Sequence, residues 1–462
     1  MIMDSALILP NEVLIVADLR INFDAIGILI GVYTITAGVS VLVFGFLADI
    51  LERRKMLIIA GFTWSITVIM YVFISEFWHL ILGRIIAAVA IGVTTPLSIS
   101  YIADIISPET RSKSFAVWTL ITSFAAIIAS ILALIFNPVD FEAIDPLPID
   151  EKIEFIILNY PEALHNWALP FLYLGVIALI LTIINIFTTI EPKRAAKEKY
   201  FKEALEQEEI TYKYKIKFSD LKFIYKRKSN LFLILNIFDV IASGLLLSFL
   251  FTYIQLDIGI NVIDLRILVL ILVAGLFGLI VGQFVLAHWG DKKVQKGDLS
   301  GRVKIAVLCS ILTLPFLLVA FAMTPSVSSS SYFFGTVVVD EVGFWILWVV
   351  YSILLGLGLA FTMGIGPNWY ASIIDVNYPE NRGTMIAFGS FVDTIGRALG
   401  SIIGGIMISA IGSISGTIFW TTLIFGLISL AFWIPLLFVS RKDMEEVDRI
   451  MKERSETLVP GE

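Results

Sequence analysis

Six ionisable side chains sit in stretches where water is scarce. Asp4, Glu12, Arg84, Asp239, Asp393 and Arg397 each fall inside a long run of apolar residues. A charge at the centre of a bilayer costs at least ~2.5–3.5 kcal/mol unless it is paired or wet, so each demands a partner, a proton or a polar cavity. Asp393 and Arg397 stand one helical turn apart, where they share a face and can neutralise each other. Glu12 and Arg84 lie at similar depth in neighbouring segments, which leaves a salt bridge between them and a ligand contact equally open. Asp239 has no nearby opposite charge in the sequence and is better placed to bind a cation or a proton. Asn236, Gln283 and Asn368 add amides that either bind a solute or tie helices together, at ~0.6 kcal/mol per bond. Tyr33, Tyr101, Tyr253, Tyr351 and Trp369 offer polar handles on aromatic rings in the same segments.

The elements that hold these groups are read from composition. Of 462 residues, 58% are hydrophobic and only 16% charged, with a mean hydropathy of +0.90. That is too little charge for the skin of a soluble domain. Leu231 to Tyr253 and Val342 to Thr362 each have the length of about 20 residues that a helix needs to cross the hydrocarbon. Charges, prolines and polar loops divide the chain into twelve such segments, near 1–20, 25–48, 56–75, 78–104, 113–136, 167–189, 230–254, 266–289, 303–323, 343–370, 384–410 and 416–439. The longest hydrophilic stretch, Glu191 to Ser229, is rich in Lys and Arg and separates six segments from six. The expected organisation is a bundle over 1–190, a charged linker over 191–229, a second bundle over 230–440 and a tail over 441–462.

All but five of the 33 Lys and Arg fall in one set of alternate loops, the linker and the tail; the five are Arg20, Arg84, Lys152, Arg266 and Arg397. By the positive-inside rule both termini and the linker are cytoplasmic, in a multi-pass protein of the cell membrane. The opposite loops are acidic, above all Asp140 to Glu162, which reads as a solvated cap. The single Cys309 and three dispersed histidines give no disulfide and no metal cluster. No nucleophile–base constellation or phosphate-cradling loop is present, which argues against an enzyme and against ATP-driven transport. No basic leader with a small-residue cleavage site precedes the first apolar stretch.

The two halves echo each other. Asp104, Pro108, Glu109 and Arg111 follow the fourth segment, and Asp375, Pro379, Glu380 and Arg382 follow the tenth at the same spacing. Gly45-Phe46-Leu47-Ala48-Asp49, trailed by Arg53-Arg54-Lys55, is paralleled by Ala287-His288-Trp289-Gly290-Asp291, trailed by Lys292 and Lys293. With Arg84 and the Glu191-Pro192-Lys193-Arg194 run, this loop resembles the signature of the major facilitator superfamily, although Ile50 and Glu52 depart from it. The Arg84–Asp104 spacing, the Gly290-Asp291-Lys292-Lys293 run reaching Gly301-Arg302, and the acid early in the first segment resemble the spinster-like subset; Ile91 stands where that subset usually has glutamate.

The resemblance implies an all-α membrane fold of twelve transmembrane helices in two pseudo-symmetric six-helix bundles. It also implies a secondary transporter of a small organic, amphipathic solute that works by alternating access. A polar solute such as a sugar or organic acid, and a non-transporting receptor or sensor, are the rival readings. Proton coupling and facilitated diffusion both fit. Partners are a small-molecule substrate, the lipid bilayer and protons, with no nucleic acid and no cofactor, and the chain is expected to be a monomer. Asp4 matches the acid such families place inside helix one. Only three residues precede it, so the first helix is short or the start codon is set too late, the reading favoured here. Gly45, Asp49, Arg53, Asp104, Arg111, Asp291, Asp375 and Arg382 form the cytoplasmic gate in this resemblance. Asp49 pairs there with Arg53, Asp104 with Arg111, and Asp375 with Arg382. Gly366-Pro367 is expected to break or kink the tenth helix.

Overall fold

The computed structural model describes residues 3–47, 52–105, 121, 124–126, 128–144, 147–191, 227–259, 265–325, 330–332, 335–337, 341–377 and 379–458. The chain divides into two compact units. One comprises Met1–Asp140, Leu147–Tyr214 and Leu250–Thr252; the other comprises Phe141–Pro146, Lys215–Phe249 and Tyr253–Glu462.

In the first unit the leading segment is not one helix. It is α1 (Met3–Ile8), a 3-10 turn (Leu9–Asn11) and α2 (Glu12–Leu19). Pro10 sits in that turn, where its missing N–H costs least. Next come α3 (Phe23–Leu47), α4 (Arg53–Ile69) and α5 (Phe77–Ile105), then an apolar helix α6 (Phe124–Ile135). The acidic insertion folds into α7 (Phe141–Ile144), which clusters with the second unit, then α8 (Ile149–Asn159) and a 3-10 helix (Pro161–Ala168) before α9 (Leu169–Thr188). Small residues set the helix spacing: a Cβ on Gly175 would meet the Ser65 carbonyl at 3.2 Å, so α9 lies close against α4.

In the second unit the seventh segment is broken twice, into α10 (Lys228–Leu235), α11 (Ile237–Ser248) and α12 (Leu250–Leu256), of which Leu250–Thr252 cluster with the first unit. The eighth runs as α13 (Leu265–Ile280), a π-helical turn (Val281–Leu286) and α14 (Ala287–Gln295). Then follow α15 (Gly301–Ala322), a short antiparallel hairpin of β1 (Ser330–Tyr332) and β2 (Gly335–Val337), α16 (Glu341–Asp375), α17 (Pro379–Ile411) and α18 (Ile414–Leu458). Ten of the described helical stretches are long and apolar enough to cross a membrane. Backbone amides and carbonyls have no water to turn to there, which is why these apolar stretches are helical.

The break expected at Gly366-Pro367 is absent. Helix α16 runs unbroken for 35 residues through Pro367. The Asn368 side chain donates to the Gly364 carbonyl at 2.8 Å and reinforces the turn where proline removes a donor. The irregular backbone lies instead at Asn236, Phe249 and the Val281–Leu286 turn.

Candidate functional site

The breaks in the second unit surround a cavity. Helix α10 ends at Asn236, whose φ and ψ of −70° and 9° leave the helical region. The indole Nε1 of Trp369 donates to the Leu233 carbonyl at 2.8 Å, and Ser429 Oγ donates to Asn236 Oδ1 at 2.6 Å. These bonds meet the needs of polar groups exposed by the interruption, which is how a broken helix persists inside a membrane. Helix α11 restarts at Ile237 and carries Asp239 in its first turn, where the positive end of the helix dipole favours a carboxylate.

Helix α17 packs directly against this restart. A Cβ on Gly396 would meet the Ile237 carbonyl at 3.2 Å, and one on Gly244 would meet Arg397 Cα at 2.7 Å. Gly400 abuts the Ile241 carbonyl and Gly404 the Leu245 side chain, so Gly396, Gly400 and Gly404, one turn apart, form a smooth face for α11. That contact brings Asp393 and Arg397 beside Asp239. The three line a cavity of about 130 Å³ with Asn236, Gln283 and Trp369. Arg397 Nε donates to Asp393 Oδ2 at 3.0 Å, the intrahelical pairing the spacing predicts. No hydrogen bond or ion pair among the described residues reaches the Asp239 carboxylate, although the Arg397 charge acts on it electrostatically. Gln283 reaches the cavity from the π-helical turn, a distortion frequently found at functional sites.

The first unit holds a second charged cluster. Arg84, 1% exposed, pairs with Asp4, 0% exposed, and its guanidinium stacks over the Tyr33 ring at 3.6 Å from the centroid. Asp4 Oδ1 and Arg84 Nε have no hydrogen-bond partner among the described residues. The expected option of a Glu12–Arg84 bridge is thereby corrected. The 3-10 turn between α1 and α2 changes the direction in which the two acids project, and Asp4 takes the arginine. Glu12 accepts a hydrogen bond from Thr252, in the Leu250–Thr252 stretch that clusters with this unit. Asn368 does not line the cavity; it is 2% exposed, and a Cβ on Gly290 would fall on its amide oxygen.

The loop charges are engaged as well. Arg53 Nε donates to Glu191 Oε1 at 3.0 Å, and the Arg54 amide donates to Glu191 Oε2 at 2.7 Å. Arg302 links two predicted gate acids, donating to Asp291 at 2.8 Å through Nε and to Asp375 at 2.7 and 2.6 Å through Nη1. Arg302 carries no role in the sequence pattern, and the expected Asp375–Arg382 pairing involves an Arg382 side chain outside the described residues. Proximity in sequence favoured Arg382, and no spacing rule points from Asp375 back to Arg302. Asp49 and Arg111 lie outside the described residues, as do the side chains of Asp104 and Arg382; Gly45 lies within α3.

The comparisons with known proteins fit this arrangement. The model of the Major Facilitator Superfamily matches residues 1–339. The chain belongs to the major facilitator superfamily. Its twelve-helix fold also resembles, with a TM-score of 0.69 at 18% identity over 96% of this chain and 95% of the other, a bacterial homologue of the human lysosomal transporter Spinster, captured inward-facing and unoccupied. Over 118 residues the chain is 30% identical to an uncharacterised transporter of Buchnera aphidicola, and over 96 residues 32% identical to the arabinose-proton symporter of Bacillus subtilis. Those matches cover 26% and 21% of this chain, and 29% and 21% of the two relatives. This major facilitator chain is therefore a multi-pass membrane protein of a transporter family.

Proposed function

We propose that this chain is a secondary active transporter of a small organic, amphipathic solute, working by alternating access with proton coupling. The observation that carries the reading is the cavity at Asp239, Asp393 and Arg397, which sits within apolar spans yet gathers three charges. Charges so costly in a bilayer are retained where they meet a ligand, a proton or each other. At about 130 Å³ the cavity suits a headgroup, with the apolar remainder of the solute outside it. Asp4, paired with Arg84 and bearing one unpartnered oxygen, is the proton carrier in this reading, and Glu12, also fully buried, is the second acid. The Arg53–Glu191 and Arg302–Asp291–Asp375 bridges serve as loop latches, joined by Asp49, Asp104, Arg111 and Arg382. With the linker and both termini cytoplasmic, those latches form the cytoplasmic gate.

A second reading, transport of a polar solute, draws on Asn236 and Gln283 at the cavity wall and on the sugar symporter among the relatives. A stabilisation screen on the purified protein separates the two, because a true ligand raises the melting temperature as its site fills. Amphipathic hits that lose their effect in Asp239→Asn, and whose uptake into proteoliposomes follows an imposed pH gradient, are the expected result. Uptake indifferent to that gradient removes proton coupling. Hits confined to sugars would favour the second reading.

A further inference from the structure

The charges around the cavity do not balance. Asp239 and Asp393 contribute two negative charges and Arg397 one positive, and the Arg397 Nε–Asp393 bond at 3.0 Å pairs two of the three. Asp239 remains without a hydrogen bond or ion pair among the described residues, in a span where a lone charge costs at least ~2.5–3.5 kcal/mol. The occupant that relieves this carries a positive charge. Its chemistry is set by the rest of the wall. Trp369 and Tyr370 both line the cavity in direct edge-to-face contact, with ring centroids 4.8 Å apart and planes at 75°, so they present one continuous aromatic wall to it. The Trp369 indole N–H is already committed to the Leu233 carbonyl, and its ring contributes surface rather than a donor. A hard inorganic cation needs a shell of oxygen ligands. An alkylammonium instead draws on a carboxylate and on aromatic faces together.

We propose that the cavity binds the ammonium group of an organic cation, with Asp239 as its counter-charge and Trp369 and Tyr370 as its aromatic wall. This rests on the reading of the cavity as the solute site and names the substrate class for it. Arg397 and Asp393 neutralise each other and hold that wall in place. The solute thus bears one net positive charge at its head and leaves its apolar part toward the open side of the cavity.

Three probes that share a phenyl group and differ in charge test this on the purified full-length protein in a neutral detergent. They are benzyltrimethylammonium, 2-phenylethanol and phenylacetate, read by shift in melting temperature and by calorimetric titration. Benzyltrimethylammonium alone binds saturably, and Asp239→Asn weakens it at least tenfold. Tyr370 is 38% exposed, so its replacement leaves the fold intact; Tyr370→Leu weakens the cation several-fold and Tyr370→Phe retains it. Binding of the neutral or anionic probe at equal strength, lost in Asp239→Asn, overturns the cationic class and leaves the cavity as the solute site. Stabilisation by sodium over potassium chloride that needs Asp239, with no response to benzyltrimethylammonium, overturns it in favour of an inorganic ion. Benzyltrimethylammonium binding that ignores both Asp239→Asn and Tyr370→Leu overturns it outright. If the hits of the wider screen also ignore both changes, the cavity itself falls as the site.

Discussion

Arg84 and Asp4 show what a buried ion pair does in an apolar span. Each is fully enclosed, each depends on the other, and Tyr33 covers the guanidinium face. Removing one partner strands the other, at a cost of about 3–5 kcal/mol. Asp4→Asn is therefore expected to lower stability by that order in chemical denaturation. The double variant Asp4→Asn/Arg84→Met should recover part of the loss, with a coupling energy above about 0.5 kcal/mol in the cycle. Additive losses would mean that the pair contributes nothing as a pair. Asp298 gives a milder case at the turn between α14 and α15. Lys304 Nζ donates to both its oxygens, at 2.8 and 2.7 Å, and this bond holds the carboxyl below the usual range. A carboxylate whose folded pKa is depressed stabilises the fold above its unfolded pKa, about 3.9, and the contribution is lost as pH falls through the folded value. Asp298→Asn should then lower stability slightly at neutral pH and flatten the acid limb of a stability–pH profile, so that the two profiles converge below about pH 4. Because Asp298 is 34% exposed, that difference should shrink in high salt.

At the scale of elements, glycine decides which helices touch. On α17 the Gly396, Gly400 and Gly404 face lets the Ile241 carbonyl of α11 come into direct contact, so Gly400→Ala places a methyl group on that oxygen. Nothing lies within 4 Å of the corresponding position at Gly275 on α13. Two chemically identical substitutions in apolar helices should thus differ in sign. Gly400→Ala is expected to cost about 1–3 kcal/mol by overpacking. Gly275→Ala should be neutral or stabilise by up to about 1 kcal/mol, the helix-propensity difference. Thermal melts of both in one detergent check this, and equal shifts would mean that the α11–α17 contact is looser than described. The first substitution should also weaken any ligand of the cavity, because the same contact carries Arg397 to Asp239.

For the whole molecule, the hydropathy of the sequence was enough to place most spans, because a 20-residue apolar run has few alternatives to a helix in lipid. The ionisable residues inside apolar runs, Asp4, Glu12, Arg84, Asp239, Asp393 and Arg397, were equally visible, and the Asp393–Arg397 pairing followed from their spacing. Partner choice was not. Asp4 displaced Glu12 as the partner of Arg84 because a 3-10 turn intervenes, and Arg302 reached Asp375 across a distance that no local pattern encodes. The glycine face of α17 was present in the sequence as a one-turn repeat, but periodicity does not say which neighbour it meets. The tail illustrates the same limit. It reads as a charged extension, yet α18 continues to Leu458 and buries Met444 and Val447, at 3% and 6% exposure. Asp443 accepts from the Ser229 amide at 3.2 Å and from its hydroxyl at 2.5 Å, while Arg227 donates to the Val376 and Asp443 carbonyls at 2.8 and 3.1 Å. A carboxylate from the tail thus caps the first turn of α10, the helix whose far end opens the cavity at Asn236. Asp443→Ala should cost about 1–2 kcal/mol, as lost caps do. It should also raise hydrogen exchange at residues 229–235 while leaving α4 and α9 unchanged. Exchange that stayed slow there would show that α10 is held by its apolar contacts alone, and that the tail is a passenger on the second unit.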